Sequence, residues 1–322
     1  MYLVTGGAGF IGSNLIADLN ARGHDDIVVC DWLGSDGRWE NLAKRSFFDL
    51  VLPEQLENRL AASDAPKITT VLHMGAISDT TATDVLQRNY QFTKMLWTWC
   101  ARHGATFIYA SSAATYGDGE WGFDDRLDLA ALKKLRPLNL YGWSKHIFDV
   151  YAVGGSAPAP PRWYGLKFFN VFGPNEYHKG NMRSVVCKLA PDIIAGNPAR
   201  LFQSYRADVP HGGQSRDFIY ISDICDVVRF FAETAPASGI YNVGTGEAQS
   251  FRELIEAAYR AVGHAPLLDY IPMPPELQSR YQYFTQASVA KLRASGYNAV
   301  FTCLDDAVSR YMRQMTSHDR YL

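Results

Sequence analysis

The chain lacks any uninterrupted apolar run long enough to span a bilayer. It also lacks a charge excess: 31 Lys and Arg against 33 Asp and Glu leave a net charge of −2. That removes the bulk electrostatic case for nucleic acid or an anionic membrane as partner. The opening "MYLVTGGAGF" has no basic segment before its short apolar run, so it does not read as a signal peptide. Cysteine is sparse. Cys30, Cys100, Cys187, Cys225 and Cys303 are scattered, odd in number and form no C-x-x-C pair. They read as reduced thiols of a cytoplasmic protein, and neither a disulfide framework nor a metal site is indicated.

What remains is an ordinary globular composition, 47% hydrophobic and 20% charged over 322 residues. That length accommodates one large or two intimate domains. In the first half, apolar β-rich runs alternate with helical patterns. Strands are expected at 2–5, 27–31, 68–76 and 106–111, and another in "WYGLKFFNV". Helices are expected near 84–103 and 140–152, the first with Leu86, Tyr90, Thr93, Leu96 and Trp97 at helical spacing. This alternation predicts an α/β fold, a doubly wound parallel sheet with a smaller α/β substrate lobe. Residues 1–170 form the expected dinucleotide-binding domain, with 217–246 returning to it. Residues 171–216 and 247–322 make up most of the smaller lobe. "GGSAPAPPR" (154–162) reads as an exposed loop within the first domain.

Gly6, Gly9 and Gly12 in "TGGAGFIG" follow the first strand and open a helix. Glycines in that context permit a tight turn, close approach of backbone to a pyrophosphate, and close helix–strand packing. The helix start offers free N–H groups to the anion. Asp31 closes the second strand and would accept from a ribose 2′-hydroxyl, which favours NAD. Arg38 is either a partner for a 2′-phosphate or a solvated loop charge.

"YGWSK" places Tyr141 and Lys145 four apart, on one helix face. A phenol ionises near pH ~10, and a neighbouring ammonium favours phenolate. Such a tyrosine is a usable acid/base. Upstream, "YASSAATYG" puts Ser111 and Ser112 at a strand end, where doubly wound folds bind ligands. Ser112 would polarise a substrate hydroxyl beside Tyr141; the plain alternative is turn or cap chemistry.

Glycine loop, strand-end serine and Tyr-x-x-x-Lys, in this order, resemble the extended short-chain dehydrogenase/reductase family, whose members act mostly on nucleotide sugars. The resemblance extends to "RDFIYISD" (216–223) and "YNVGTGEAQSF" (241–251). "TGGAGFIGSN", "YASSAATYG", "FFNVFGPNEYHKGNM" and "RYQYFTQA" bring it nearest to the members that invert C6 of an ADP-glycero-manno-heptose, for the lipopolysaccharide inner core. The resemblance implies an NADP-dependent isomerase, with NAD possible because of Asp31, and a homo-oligomer. It implies cofactor contacts from Phe10, Ile11, Asp31, Trp32, Arg38, the loop Met74, Gly75, Ala76, Ile77 and Ser78, and Asn89. Catalysis would rest on Ser112, Tyr141 and Lys145. Substrate contacts would come from Ser112, Asn170, Val171, Lys179, Asn181, Lys188, Phe202, Gln203, Ser204, Arg216 and Tyr281. Several have plain alternatives: Val171 and Phe202 as core, Lys188 as a solvated charge, Arg216 as an ion pair with Asp217. Lys179, ordinarily a solvated loop charge, becomes a second acid/base on this reading.

The sequence departs from the family pattern in three places. Pro53 stands where a basic cofactor contact is expected, Met74 where a glutamate is, and "YRADVPHGGQS" (205–215) is long. A UDP-hexose 4-epimerase is the alternative activity. A 4,6-dehydratase needs an acid pair where this chain has Ala113 and Ala114. A non-catalytic cofactor sensor would have no use for Ser112, Tyr141 and Lys145 together.

Overall fold

A computed structural model describes residues 1–77, 84–126, 128–155, 157–278 and 281–322, apart from the Glu276 side chain. Seven parallel strands form the central sheet: β1 (Tyr2–Thr5), β2 (Ile27–Cys30), β3 (Asp49–Val51), β4 (Thr70–His73), β5 (Thr106–Ser112), β6 (Trp163–Phe168) and β10 (Gly239–Val243). Their spatial order is β10-β6-β5-β4-β1-β2-β3. Val4, Val29, Val71 and Ile108 are fully or almost fully buried, as a sheet covered on both faces requires. One helix layer includes α1 (Phe10–Ala21); the other includes α2 (Pro53–Ala61), α3 (Phe92–His103) and, after the short α4 (Leu129–Leu132), α5 (Leu140–Gly154). The expected helix near 84–103 is α3 preceded by a wider π-turn, Gln87–Gln91.

The strand order reverses between β1 and β4, which opens a crevice at their carboxyl ends. A second layer lies beyond it. β7 (Asn170–Phe172) pairs in parallel with β9 (Ser215–Tyr220), and β11 (Ala248–Ser250) pairs antiparallel on the other side of β9. A two-stranded ribbon joins β8 (Ala199–Phe202) to β12 (Leu268–Ile271). Between these run α6 (Val185–Ile194), α7 (Ile221–Thr234) and α8 (Phe251–Ala261). Ser250 and Glu253 close a reciprocal capping box at the start of α8. Thus the chain from 215 to 220 stays in the second layer, and only with α7 and β10 does it return to the main sheet. Among the described residues, no helix is long and apolar enough to cross a membrane.

Candidate active site

The glycine turn forms first, from local backbone needs. Gly6 has φ +66°, and a Cβ there would lie 2.5 Å from the Gly75 backbone across the crevice. A Cβ on Gly12 would lie 2.1 Å from the Gly6 carbonyl oxygen. Gly9 stands at the N-cap of α1 and offers no side chain to the first-turn N–H groups. They are left for an anion. Asp31, nearly buried, accepts from Ala8 N–H at 2.9 Å and Trp32 N–H at 2.8 Å. Its carboxylate therefore holds the turn to the end of β2. Burial raises its pKa, opposed chiefly by Arg38.

One cavity of about 1000 Å³ runs from this turn into the second layer. Gly6, Gly9, Phe10, Ile11, Gly12, Asp31, Trp32, Arg38, Met74, Gly75, Ala76 and Ile77 line it, as do Ser112, Tyr141, Lys145, Asn170, Val171, Lys179 and Asn181. Ser78 lies outside the described residues. Asn89 holds the loop after β4 from behind: its side chain accepts from Ile77 N–H at 2.8 Å and donates to Ile77 O at 2.9 Å and to Ser144 Oγ at 3.0 Å. Arg38 is no free loop charge. Its Nε donates to Asp36 Oδ1 at 2.9 Å, and its Nη1 lies 3.7 Å from Asp31 Oδ1. Pro53 lines the same wall, and Arg88 stacks 4.2 Å above Trp32.

Asn139 caps α5 by accepting from Gly142 N–H at 2.8 Å, which sets the register of the helix. Tyr141 in its first turn and Lys145 one turn on then face the end of β5, where Ser112 stands. Burial raises the Tyr141 phenol, and the Ser112 hydroxyl opposes the rise. In the protein alone the phenol is thus driven away from phenolate, opposite to the expectation from the Lys145 ammonium. Burial also brings Lys145 down to about 8, with Asp149 opposing.

Lys179 sits in a 3-10 turn, Tyr177–Met182, with Nζ 5.2 Å from the Phe10 ring centroid. Burial lowers its pKa, opposed first by Glu176. Glu176, fully buried, accepts from Ser184 N–H at 2.5 Å, Ser184 Oγ at 2.6 Å and Tyr311 OH at 3.0 Å.

The remaining predicted substrate residues lie outside the wall of this cavity. Lys188 is exposed and donates to Asn181 O at 3.4 Å. Phe202 meets Tyr281 edge-on at 6.4 Å. Arg216, nearly buried, packs its guanidinium 5.3 Å from the Tyr281 ring and 5.5 Å from that of Phe251, which does line the cavity. Asp217 is not its ion-pair partner: it accepts from Thr245, Gly246 and Ala287 N–H groups at 2.7, 2.9 and 3.0 Å. Gln203 donates to Tyr270 O at 3.2 Å, and Ser204 N–H donates to His211 Nδ1 at 2.9 Å. Sequence reasoning missed a buried cluster beneath the Ser112–Tyr141–Lys145 wall. Asp149 accepts there from Tyr109 OH at 2.9 Å, Ser111 Oγ at 2.8 Å and Lys167 Nζ at 2.6 Å. The i, i+4, i+8 run of Tyr141, Lys145 and Asp149 was its one visible signal.

A doubly wound sheet with a glycine turn at its switch point, and a strand-end Ser facing Tyr-x-x-x-Lys, defines a nicotinamide-dependent enzyme of the extended short-chain type. The model of the NAD dependent epimerase/dehydratase family matches residues 2–244, and the chain belongs to that family. It is 45% identical over 323 aligned positions to an ADP-L-glycero-D-manno-heptose-6-epimerase of Nitratidesulfovibrio vulgaris, covering 98% of this chain and 97% of that one. The crystal structure of the ADP-L-glycero-D-manno-heptose-6-epimerase of Helicobacter pylori superposes with a TM-score of 0.80 at 28% identity, covering 98% and 96%. A UDP-glucose 4-epimerase from Thermus thermophilus, in complex with NAD, gives 0.74 at 26%, covering 97% and 98%.

Proposed function

We propose that the chain is an isomerase that inverts C6 of ADP-glycero-manno-heptose, with NADP as its resident cofactor. The observation that carries the mechanism is that Ser112, Tyr141, Lys145 and Lys179 line one cavity with the glycine turn. The fit to a dinucleotide is supported by the space kept open at Gly6 and Gly12 and by the uncapped start of α1. When bound, the nicotinamide supplies a reversible hydride acceptor, which suits a carbinol C–H with no carbonyl beside it to acidify it.

The chain's own residues manage protons and orientation. Tyr141, as the phenolate that the neighbouring Lys145 ammonium favours, takes the C6 hydroxyl proton in one pose, with Ser112 donating to the same oxygen. The proton that completes inversion comes from the group serving the second pose, and both groups regain their starting states by exchange with solvent. Lys145, desolvated beside it, is drawn to its charged form by Asp149. C6 is exocyclic, so rotation about its bond to the ring presents either face to a fixed acceptor. The oxygen then points to two places. Lys179, on a separate element of the same cavity, serves the second pose as acid/base. A hexose 4-epimerase would not need that lysine.

For NADP over NAD, Arg38 beside Asp31 is the residue positioned to meet a 2′-phosphate. In this reading residues 1–170, with 217–246 returning, hold the dinucleotide, and 171–216 with 247–322 hold the nucleotide sugar, Arg216 on its phosphates. The enzyme works in the cytoplasm as a homo-oligomer. Turnover in heavy water tests the redox route. Product with little deuterium at C6 is expected, and one deuterium per molecule there would establish deprotonation at carbon instead.

A further inference from the structure

Asp149 and Lys167 are both 0% exposed, and their ion pair measures 2.6 Å. Such a pair contributes little net stability, because desolvation of two charges offsets their attraction. Its place in the fold is informative. Lys167 lies on β6 and also donates to Thr115 Oγ1 at 2.5 Å, in the turn that follows Ser112. Ser111, the neighbour of Ser112, donates to the same carboxylate oxygen as Lys167, and Tyr109 to the other. Donors from β5 and β6 therefore converge on one carboxylate of α5, which sits one helical turn beyond Lys145.

We infer that Asp149 is a positioning residue for the proposed Ser112–Tyr141–Lys145 set: fixed by Lys167, it ties α5 to the end of β5 and stands as the carboxylate one turn beyond Lys145 on the same helix face. This rests on the roles proposed above for that set. The charged and titratable groups around the pair are few. His73 on β4 feels the Lys145 charge. His146 on α5 feels Asp149 and Lys167. Tyr116, in the turn after β5, packs its ring 4.9 Å from Lys167 Nζ and feels the Asp149 charge. Among these, Asp149 is the carboxylate that opposes the desolvation of Lys145. Lys145 and Asp149 lie four apart on α5 and so share one face, and an opposite charge on that face favours the charged form.

The test is Asp149→Asn/Lys167→Met, which removes the pair without leaving a lone buried charge, beside Asp149→Asn alone. Folding is followed by circular dichroism and urea melting. The Lys145 amine is titrated directly by NMR of protein labelled with ¹⁵N-lysine, its signal assigned through Lys145→Met, and the alkaline limb of kcat is measured in parallel. The double variant should fold. Lys145 should titrate at lower pH in Asp149→Asn, with an acid constant about tenfold larger, and in the same direction but by less in the double variant, which also loses the Lys167 charge; the kcat limb should move with it. A folded double variant with Lys145 titrating as in the parent overturns the inference. So does a double variant that cannot fold, because the pair is then a folding element. A moved titration with an unmoved kcat limb upholds the charge link and overturns the role given to Lys145 instead.

Discussion

Gly12→Ala puts one methyl group where the structure has no room. The new Cβ would lie 2.1 Å from the Gly6 carbonyl oxygen and 2.8 Å from the Gly7 Cα, while real contacts stay above 3.0 Å. Both neighbours are backbone, so no side chain can swing away. The Gly6 carbonyl is held by Gly9 N–H at 3.0 Å, and Gly6 N–H is held by Cys30 O at 2.8 Å. Gly6 cannot retreat across the crevice either, because the Gly75 backbone is already against it. Relief therefore means moving the turn or the start of α1 by about 1 Å. Overpacking of this kind costs roughly 1–3 kcal/mol. The same displacement misaligns the N–H groups proposed to hold the pyrophosphate, and each 1.4 kcal/mol lost there is about tenfold in Kd. The assay is a calorimetric titration with NADP, alongside a urea melt. The matched control is Gly154→Ala, whose Cβ would stop 3.8 Å from Leu129. Gly12→Ala should fold with reduced stability and bind NADP at least about tenfold more weakly, with the control unchanged. Parental affinity in Gly12→Ala would remove this turn from the cofactor site.

Lys179→Met should lower kcat by about 10²-fold or more with a smaller effect on KM; steady-state kinetics in which only KM rises would make the lysine a binding residue. Arg38→Ala removes the guanidinium that pairs with Asp31 and Asp36 and that is proposed to meet the 2′-phosphate. It should therefore weaken NADP by about 10- to 100-fold and NAD far less, and equal losses in paired titrations would refute the 2′-phosphate role. Burial, then the Arg38 and Lys179 charges, push His178 down to about 4 from the ordinary 6.5, against Asp36. Between pH 6.5 and 4 the unfolded chain binds this proton and the folded chain does not, so stability falls as pH drops through that window. His178→Asn should flatten that part of the Tm–pH curve, and a curve parallel to the parent's would show that His178 is not the group responsible.

The glycine turn and the parallel sheet around it were legible in the sequence because their determinants are local. Three glycines, the strand before them and the helix after them lie between Tyr2 and Ala21, and the backbone they require follows from sterics. Tyr141 and Lys145 were legible because a helix converts a spacing of four into one face. The outer wall was less legible. Arg216, Phe202 and Tyr281 meet through aromatic packing between β9, β8 and a segment near residue 281, and nothing in their spacing announces it. Asp149 and Lys167 were hidden for a related reason. A lysine inside the apolar run "YGLKFF" reads as an edge position or a snorkelling charge, unless its partner on a neighbouring helix is known. The Tyr141 phenol fails differently: the sequence identifies its charged neighbour but not the depth of burial, and burial dominates.

The placement of Lys179 relative to the glycine turn does not depend on substrate. Three asparagines tie its loop to the start of α1. Asn14 donates to Phe10 O at 2.8 Å and Pro174 O at 3.0 Å; Asn41 donates to Ala8 O at 2.8 Å and Asn175 O at 3.1 Å; Asn175 donates to Ser13 Oγ at 3.1 Å. Asn175 adopts φ 72°, a left-handed conformation that asparagine tolerates better than most residues. Asn14 and Asn41 each span backbone from both sides, and Asn175 reaches from the loop to the Ser13 hydroxyl on α1, so movement of one side carries the other. Tyr141 and Ser112 are fixed from the opposite side, through α5 and β5. A reaction that handles one carbon in two poses needs two proton-transfer groups whose separation does not drift when the substrate turns over between them. On the proposed mechanism, anchoring one to the glycine turn and the other to the sheet meets that need and leaves the substrate as the part that moves.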